Sequence, residues 1–331
     1  MSYPSGDNGD HLAEKNGDDK KYYVDNLGSC VSAIVMDNGH NKDGNKYISE
    51  HILELQSVPM FMEYTMGVQK RLQTKLSRSR LPINAPFNPD SSRLLPCAFW
   101  VNDFQYGFAE WDKKYGKTTP TAALFTLLGS TKNSGHMVNT ESKFNGKKGA
   151  LWEFKEPVGA STWNDLYAAV DDTTVLHAFE QLILVEQVFP YLAKPGIQDK
   201  LLGAHQDVIA FLDEYEELYR KQHPTTAHIG LSDMWRNFMT ELLAKMKEWA
   251  EAWLEYRIDI MVPAWTAEHA RREAVARAYT AAGNPLAAAA EVAAKAALKS
   301  RTDAEKHLLQ YSSFVATFDH NLFQTTPDRD A

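Results

Sequence analysis

DMWRNFMTELLAKMKEWAEAWLEYR, residues 233–257, sets Trp235, Phe238, Leu242, Met246, Trp249 and Trp253 at intervals of 3, 4, 4, 3 and 4. Steps of three and four return to one side of a helix, so this stretch is an amphipathic helix with a tryptophan-rich inner face. Upstream, residues 197–219 repeat the pattern through Ile197, Leu201, Ala204, Val208, Phe211 and Tyr215. Before that, 172–193 (DTTVLHAFEQLILVEQVFPYLA) is apolar nearly all round, which predicts a central, buried helix. Downstream, Gly283-Asn284-Pro285 ends one helix and caps the next, and the Ala-rich run 286–298 suits close helix packing or an exposed helix.

The first third of the chain reads differently. Tyr22–Met36 (YYVDNLGSCVSAIVM) is rich in Val, Ile and Tyr and predicts one or two strands, and 37–46 (DNGHNKDGNK) predicts a loop. That loop lacks the acidic spacing and final Glu of an EF-hand. Ser49 is placed to cap a helix from Glu50 toward Leu72, with Pro59 as an interruption or a restart. Pro82, Pro86, Pro89 and Pro96 make 81–96 an irregular crossover, and Thr119-Pro120 opens a short helix stopped by Gly129. The expected fold class is mainly α, a multi-helix globular domain with a small β or irregular N-terminal element. Its expected parts are a disordered acidic tail at 1–21, a main helical domain at 22–262, and Ala-rich helices at 263–331, packed on the main domain or semi-independent.

The chain has 331 residues, enough for one large domain or two smaller ones. Its net charge of −8 repels phosphate backbones and excludes nucleic-acid binding as the main task. No apolar run approaches the roughly 18 residues that span a bilayer. The N-terminus has no basic-then-apolar leader and carries five acidic residues, so a cytoplasmic location is expected, or a secreted one if a leader has been removed. The two cysteines, Cys30 and Cys97, are one bridge or two ordinary thiols.

Chemistry-bearing motifs are sparse. His51 with Glu54, and His177 with Glu180, each place a His three residues before a Glu, a spacing that shares a helix face. Two such pairs on facing helices could hold a metal, but the ferritin-like pattern is absent, and structural pairs are favoured. Glu50 and Glu54 form a possible acid/base couple, with exposed helix charge as the plainer reading. Gly116-Lys117-Thr118 ends like a phosphate-binding loop, yet Trp111 stands where the first Gly should be. Lys70, Arg71, Lys75, Arg78 and Arg80 form one basic cluster, which best complements a helix C-terminus. Phe99, Trp100, Phe104, Tyr106, Phe108, Trp111 and Tyr115 crowd seventeen residues, interleaved with Asn102, Asp103, Gln105 and Glu110. Such a segment can line a groove for a sugar or flat apolar ligand, with Trp100, Asn102, Phe104, Tyr106 and Trp111 as its contacts. The competing reading is a core segment that uses large side chains. No cofactor is expected, and oligomeric state does not follow from the residues.

Ile48-Ser-Glu-His-Ile-Leu-Glu-Leu-Gln56 resembles the EH-x-x-E-x-Q helix start that follows the barrel in fungal killer-toxin-like chitinases of glycoside-hydrolase family 18. It also resembles stand-alone fungal proteins that carry only this region. Leu95-Pro-Cys-Ala-Phe-Trp100 resembles the next Cys-aromatic-Trp segment, and Met137–Gly149 a Met-Val…Asn-x-x-Lys-Gly element. Trp235–Trp253 resembles the closing helix, so the likeness covers about residues 27–260. The family's hydrolytic Asp-x-x-Asp-x-Asp-x-Glu motif is absent. The resemblance therefore implies a companion module without glycosidase activity, a non-catalytic interaction or carbohydrate-associated fungal protein. The alternative is an intracellular enzyme of fungal specialised metabolism, an isomerase or cyclase of an apolar substrate using His51, Glu54 or Asp103. A toxin-like effector is the third reading.

Overall fold

A computed structural model describes residues 20–25, 27, 33–38, 46–68, 87–130, 132–168, 172–296, 299, 319 and 323. In chain order they form β1 (Lys20–Asp25), β2 (Ala33–Asn38), β3 (Tyr47–His51) and α1 (Ser57–Thr65). A 3-10 turn follows at Ser91–Arg93, then a π-wound turn at Phe99–Asp103 that runs on through Phe104–Tyr106. Next come α2 (Ala109–Tyr115), α3 (Pro120–Leu127), β4 (Met137–Glu141), α4 (Ser142–Trp152) and α5 (Ala160–Ala168). The remainder is α6 (Asp172–Glu186), α7 (Val188–Leu192), α8 (Pro195–Gln222) and α9 (Leu231–Ala281), with a further helical stretch at 285–296. The protein is mainly α with one small sheet, as the periodicity predicts. The basic cluster 70–80, Cys30 and most of the loop 37–46 lie outside the described residues.

The predicted Tyr22–Met36 strand region is the antiparallel hairpin β1–β2, with Tyr22 opposite Met36. Lys20 and Lys21 already belong to β1, so the strand begins inside the stretch expected to be tail. The sheet order is β2-β1-β4-β3, and its central pair, β1 with β4, is parallel. The expected helix from Glu50 is corrected. Tyr47–His51 is β3, paired antiparallel with β4 so that Ser49 faces Asn139 and Glu50 faces Val138. Ser49 Oγ donates to Asn139 Oδ1 at 3.4 Å instead of capping a helix. A partner strand 86 or more residues downstream overrides the local cap signal. His51 and Glu54 therefore do not share a helix face. Pro59 stands in the first turn of α1, where its missing N–H costs nothing.

The core is built on α9. Trp235, Phe238, Leu242, Met246, Trp249 and Trp253 are all fully buried, so the quoted stretch is the hydrophobic spine. The Phe61 ring of α1 meets Trp235 edge-to-face at 5.1 Å, and α9 also packs against α4, α6 and α8. Fully burying side chains of this size contributes about 1.5–3 kcal/mol each. The buried Glu216 carboxylate at the end of α8 accepts the N–H groups of Ile229, Gly230 and Leu231, satisfying donors that open α9. Gly230 has φ 75°, and a Cβ there would collide with the Arg93 guanidinium. The Gly283-Asn284-Pro285 signal works as read: Gly283 has φ 73° and Asn284 Oδ1 accepts the Ala287 N–H at 3.2 Å. Among the described residues no helix is long and apolar enough to cross a membrane.

Candidate functional site

Two places concentrate polar groups, one closed and one open. The closed one lies where β3, β4, α4 and α7 meet. Strand β3 supplies Glu50 and His51, the turn after it Glu54, α4 Lys148 and α7 Tyr191. Lys148 is fully buried, and its Nζ donates to His51 O and Glu54 Oε1, both at 2.7 Å, with Glu50 Oε2 at 3.2 Å. Tyr191 donates its hydroxyl to Glu50 Oε1, and Thr140 Oγ1 lies 3.5 Å from the same hydroxyl. The His51 ring bonds the Gly129 carbonyl at 3.0 Å. Gly129 leaves room for this ring, since a Cβ there would meet His51 Cδ2 at 2.9 Å and Met137 Cγ at 2.7 Å.

Electrostatics follow from the closure. Burial pushes the Glu50 carboxyl above its ordinary range, although Lys148 pulls it down. Burial works against the Lys148 ammonium too, but Glu50 and Glu54 overcome it, so Lys148 titrates above its ordinary value. Burial raises the Tyr191 hydroxyl and lowers the His51 imidazole. Lys148, Glu50 and Tyr191 form the buried heart of an ion network whose outer members, His51 and Glu54, are partly exposed.

The open place is a cleft of about 540 Å³ lined by Tyr64, Asn88, Pro89, Asp90, Ser91, Asn237, Thr240 and Glu241. The first turns of α9 form one wall, α1 the floor, and residues 88–91 the rim. Glu241 is fixed in place, accepting Tyr64 OH at 3.1 Å and the Asn88 N–H at 2.9 Å. Burial and the Glu241 carboxylate push the Tyr64 hydroxyl up, so it stays a donor. Asp90 Oδ1 caps the 3-10 turn by accepting from the Ser92 N–H and hydroxyl. A smaller recess continues past Thr65, Arg93, Leu94 and Met234.

The expected site residues divide between core and surface. Trp100, Phe104 and Trp111 are buried in the core, while Asn102 and Tyr106 are exposed. Trp100 Nε1 donates to Thr65 Oγ1 at 2.9 Å, and the Phe104 ring lies 4.7 Å from that of Tyr215. The five residues therefore do not line one aromatic groove: helical winding turns Trp100, Phe104 and Trp111 inward and leaves Asn102 and Tyr106 outside. Asp103 Oδ2 accepts Tyr219 OH at 3.1 Å on α8, whereas His51 and Glu54 gather around Lys148. His177 and Glu180 do share a helix face, with Nδ1 3.3 Å from Oε2, as a partly exposed pair. Among the described residues no three His, Cys, Asp or Glu side chains converge as metal ligands.

Lys148, Tyr191 and Glu241 were not among the candidates. Lys148 does stand in the Asn-x-x-Lys-Gly element, and the structure joins that element to Glu50-His51-x-x-Glu54, with Glu54 Oε1 3.8 Å from where a Gly149 Cβ would lie. His205 was also missed. It is fully buried, accepts Trp235 Nε1 at 3.1 Å and packs against the Phe323 ring at 4.2 Å. Its desolvation lowers it to about 3. Fold and sites together define a mainly helical protein with a closed ionic centre and an open polar cleft. No protein-family model, curated protein or solved structure matches the chain.

Proposed function

We propose that this is a non-catalytic binding protein whose cleft between residues 88–91, α1 and α9 takes a hydroxyl-rich ligand of the carbohydrate class. The observation that carries the reading is the supply of uncommitted polar groups around a fixed carboxylate. The side-chain amides of Asn88 and Asn237, the Ser91 hydroxyl and Asp90 Oδ2 make no hydrogen bond to described residues, and Glu241 is already oriented. Amides that both donate and accept, beside a carboxylate that accepts, match vicinal hydroxyls. The resemblance to the companion region of fungal chitinases, without the hydrolytic motif, supports the same class. Chitin and β-glucan oligosaccharides should bind in calorimetric titration, and Asn237→Ala should weaken them about tenfold by removing hydrogen bonds. If no oligosaccharide binds the folded protein, the reading fails.

The alternative is acid/base chemistry of an isomerase or cyclase at Glu50, His51 and Glu54. It is favoured by the burial of the Glu50 carboxyl, which raises its pKa above the ordinary carboxylate range. The closure of Lys148 and Glu50 to solvent supports the binding reading over it. Turnover of an apolar substrate that Glu54→Gln abolishes would reverse that preference.

A further inference from the structure

The loop 153–159, between α4 and α5, is gripped by three donors from neighbouring helices. Trp249 Nε1 donates to Lys155 O at 3.1 Å, Arg257 Nη2 to Glu156 Oε2 at 3.1 Å, and Lys147 Nζ to Pro157 O at 2.9 Å. Phe154 in this loop has φ 52°, the one non-glycine at positive φ among the described residues, and it is buried. Such backbone strain persists where surroundings impose it, often beside functional sites.

The Arg257 guanidinium lies against three rings, with centroids at 5.0 Å for Trp163, 5.3 Å for Tyr256 and 5.7 Å for Trp253. Trp163 and Trp253 meet edge-to-face at 5.6 Å. Within this contact group Arg257 Nε, Trp163 Nε1 and Trp253 Nε1 donate to no described residue. The three residues are only 6%, 2% and 0% exposed. A buried N–H left unpaired costs about 1–3 kcal/mol, so three around one guanidinium are expensive to keep without an acceptor to serve. The charge is also one-sided. Glu156 answers Arg257 and Glu153 answers Lys155 at 2.5 Å, but among the described residues no carboxylate answers Lys147. Burial alone lowers that ammonium to about 8, which leaves it mostly charged at neutral pH.

We propose that the ring-bound guanidinium of Arg257, with the indole N–H groups of Trp163 and Trp253, is a site for a small oxyanion, the phosphate or carboxylate group of a ligand. Glu156, whose side chain is 29% exposed, is the internal carboxylate that the ligand displaces. Guanidinium and indole are both donor-only groups, so the site accepts an acceptor and rejects a cation. It lies on α9, 16 residues beyond Glu241, and is separate from the cleft.

The test is thermal unfolding of the full chain at pH 7 and fixed ionic strength, titrated with inorganic phosphate or with acetate against a chloride control. A saturable rise in midpoint with one of the two is expected; the stronger of them distinguishes a phosphoryl from a carboxyl ligand. Glu156→Gln should tighten the apparent affinity by about fivefold, because the competing carboxylate is gone. Trp163→Phe keeps the ring but removes one donor, and Arg257→Lys removes the planar fork; each should weaken the response about tenfold. Should Arg257→Lys fail to fold, the other two variants decide the matter. No anion-specific rise over chloride, or a rise that Glu156→Gln and Trp163→Phe both leave unchanged, overturns the proposal.

Discussion

Lys148 and Arg257 are both buried cations, and the protein holds them in opposite ways. Lys148 meets two carboxylates and a carbonyl and is sealed at 0% side-chain exposure. Arg257 meets aromatic faces and one rim carboxylate, with a donor left over. Desolvating a cation costs several kcal/mol in either place. Full charge compensation makes the first site a strut with no capacity to spare. Partial compensation by ring quadrupoles leaves the second site able to take an acceptor.

The comparison breaks most readily at Lys148. Lys148→Met strands Glu50 and Glu54 against an uncharged chain and should lower stability by about 3–5 kcal/mol in urea unfolding at pH 7. A loss under 1 kcal/mol would mean that the network carries no load. Glu186 is the next largest case, a carboxyl 4% exposed that accepts from the neighbouring Gln187 amide. Burial pushes it up to about 7, with Gln187 pulling weakly the other way. Unfolded, it ionises near 4.5, so between about 4.5 and 7 the folded chain keeps a proton that the unfolded chain has lost. Stability should therefore fall by about 3 kcal/mol as pH rises through that window and level off above it. Glu186→Gln should flatten this part of the pH profile, and an identical profile in the variant would refute the assignment.

Arg257→Met should cost less than Lys148→Met, about 2 kcal/mol, because Glu156 at the rim can hydrate once its partner is gone. Equal losses at the two positions would erase the distinction drawn between them. The smallest expected effect is at the cleft. Tyr64→Phe removes one hydrogen bond to Glu241 and should cost about 1 kcal/mol in stability. It should also weaken saccharide binding, since Glu241 loses one of the two bonds that orient it.

The helical half was legible because its signal is local. Trp235 to Trp253 repeat within a few turns, and every expected inner residue of that series is buried. Strand β3 was not legible, because what makes Glu50-His51 a strand is β4, which the chain reaches only at Met137. The same distance hid the ionic centre: the Glu50-His51-x-x-Glu54 and Asn-x-x-Lys-Gly elements could be quoted, but not that the second places a lysine between the carboxylates of the first. The aromatic run at 99–115 had the opposite difficulty. Its composition suits a groove or a core equally, and only the winding at Phe99–Asp103 decides which side each ring takes.

The length of α9 has a mechanical consequence. At 51 residues it extends about 76 Å, well beyond the part that is clamped. Its tightly packed inner face ends at Trp265, and beyond it, as far as Ala281, the one buried position is Ala276, itself 7% exposed. Pro263, just before that point, has no N–H to bridge back to the preceding turn. The far end is therefore a cantilever, rigid where the tryptophans grip it and softest at its root. A load on the 266–296 arm would be felt first at the proline, two turns from Arg257.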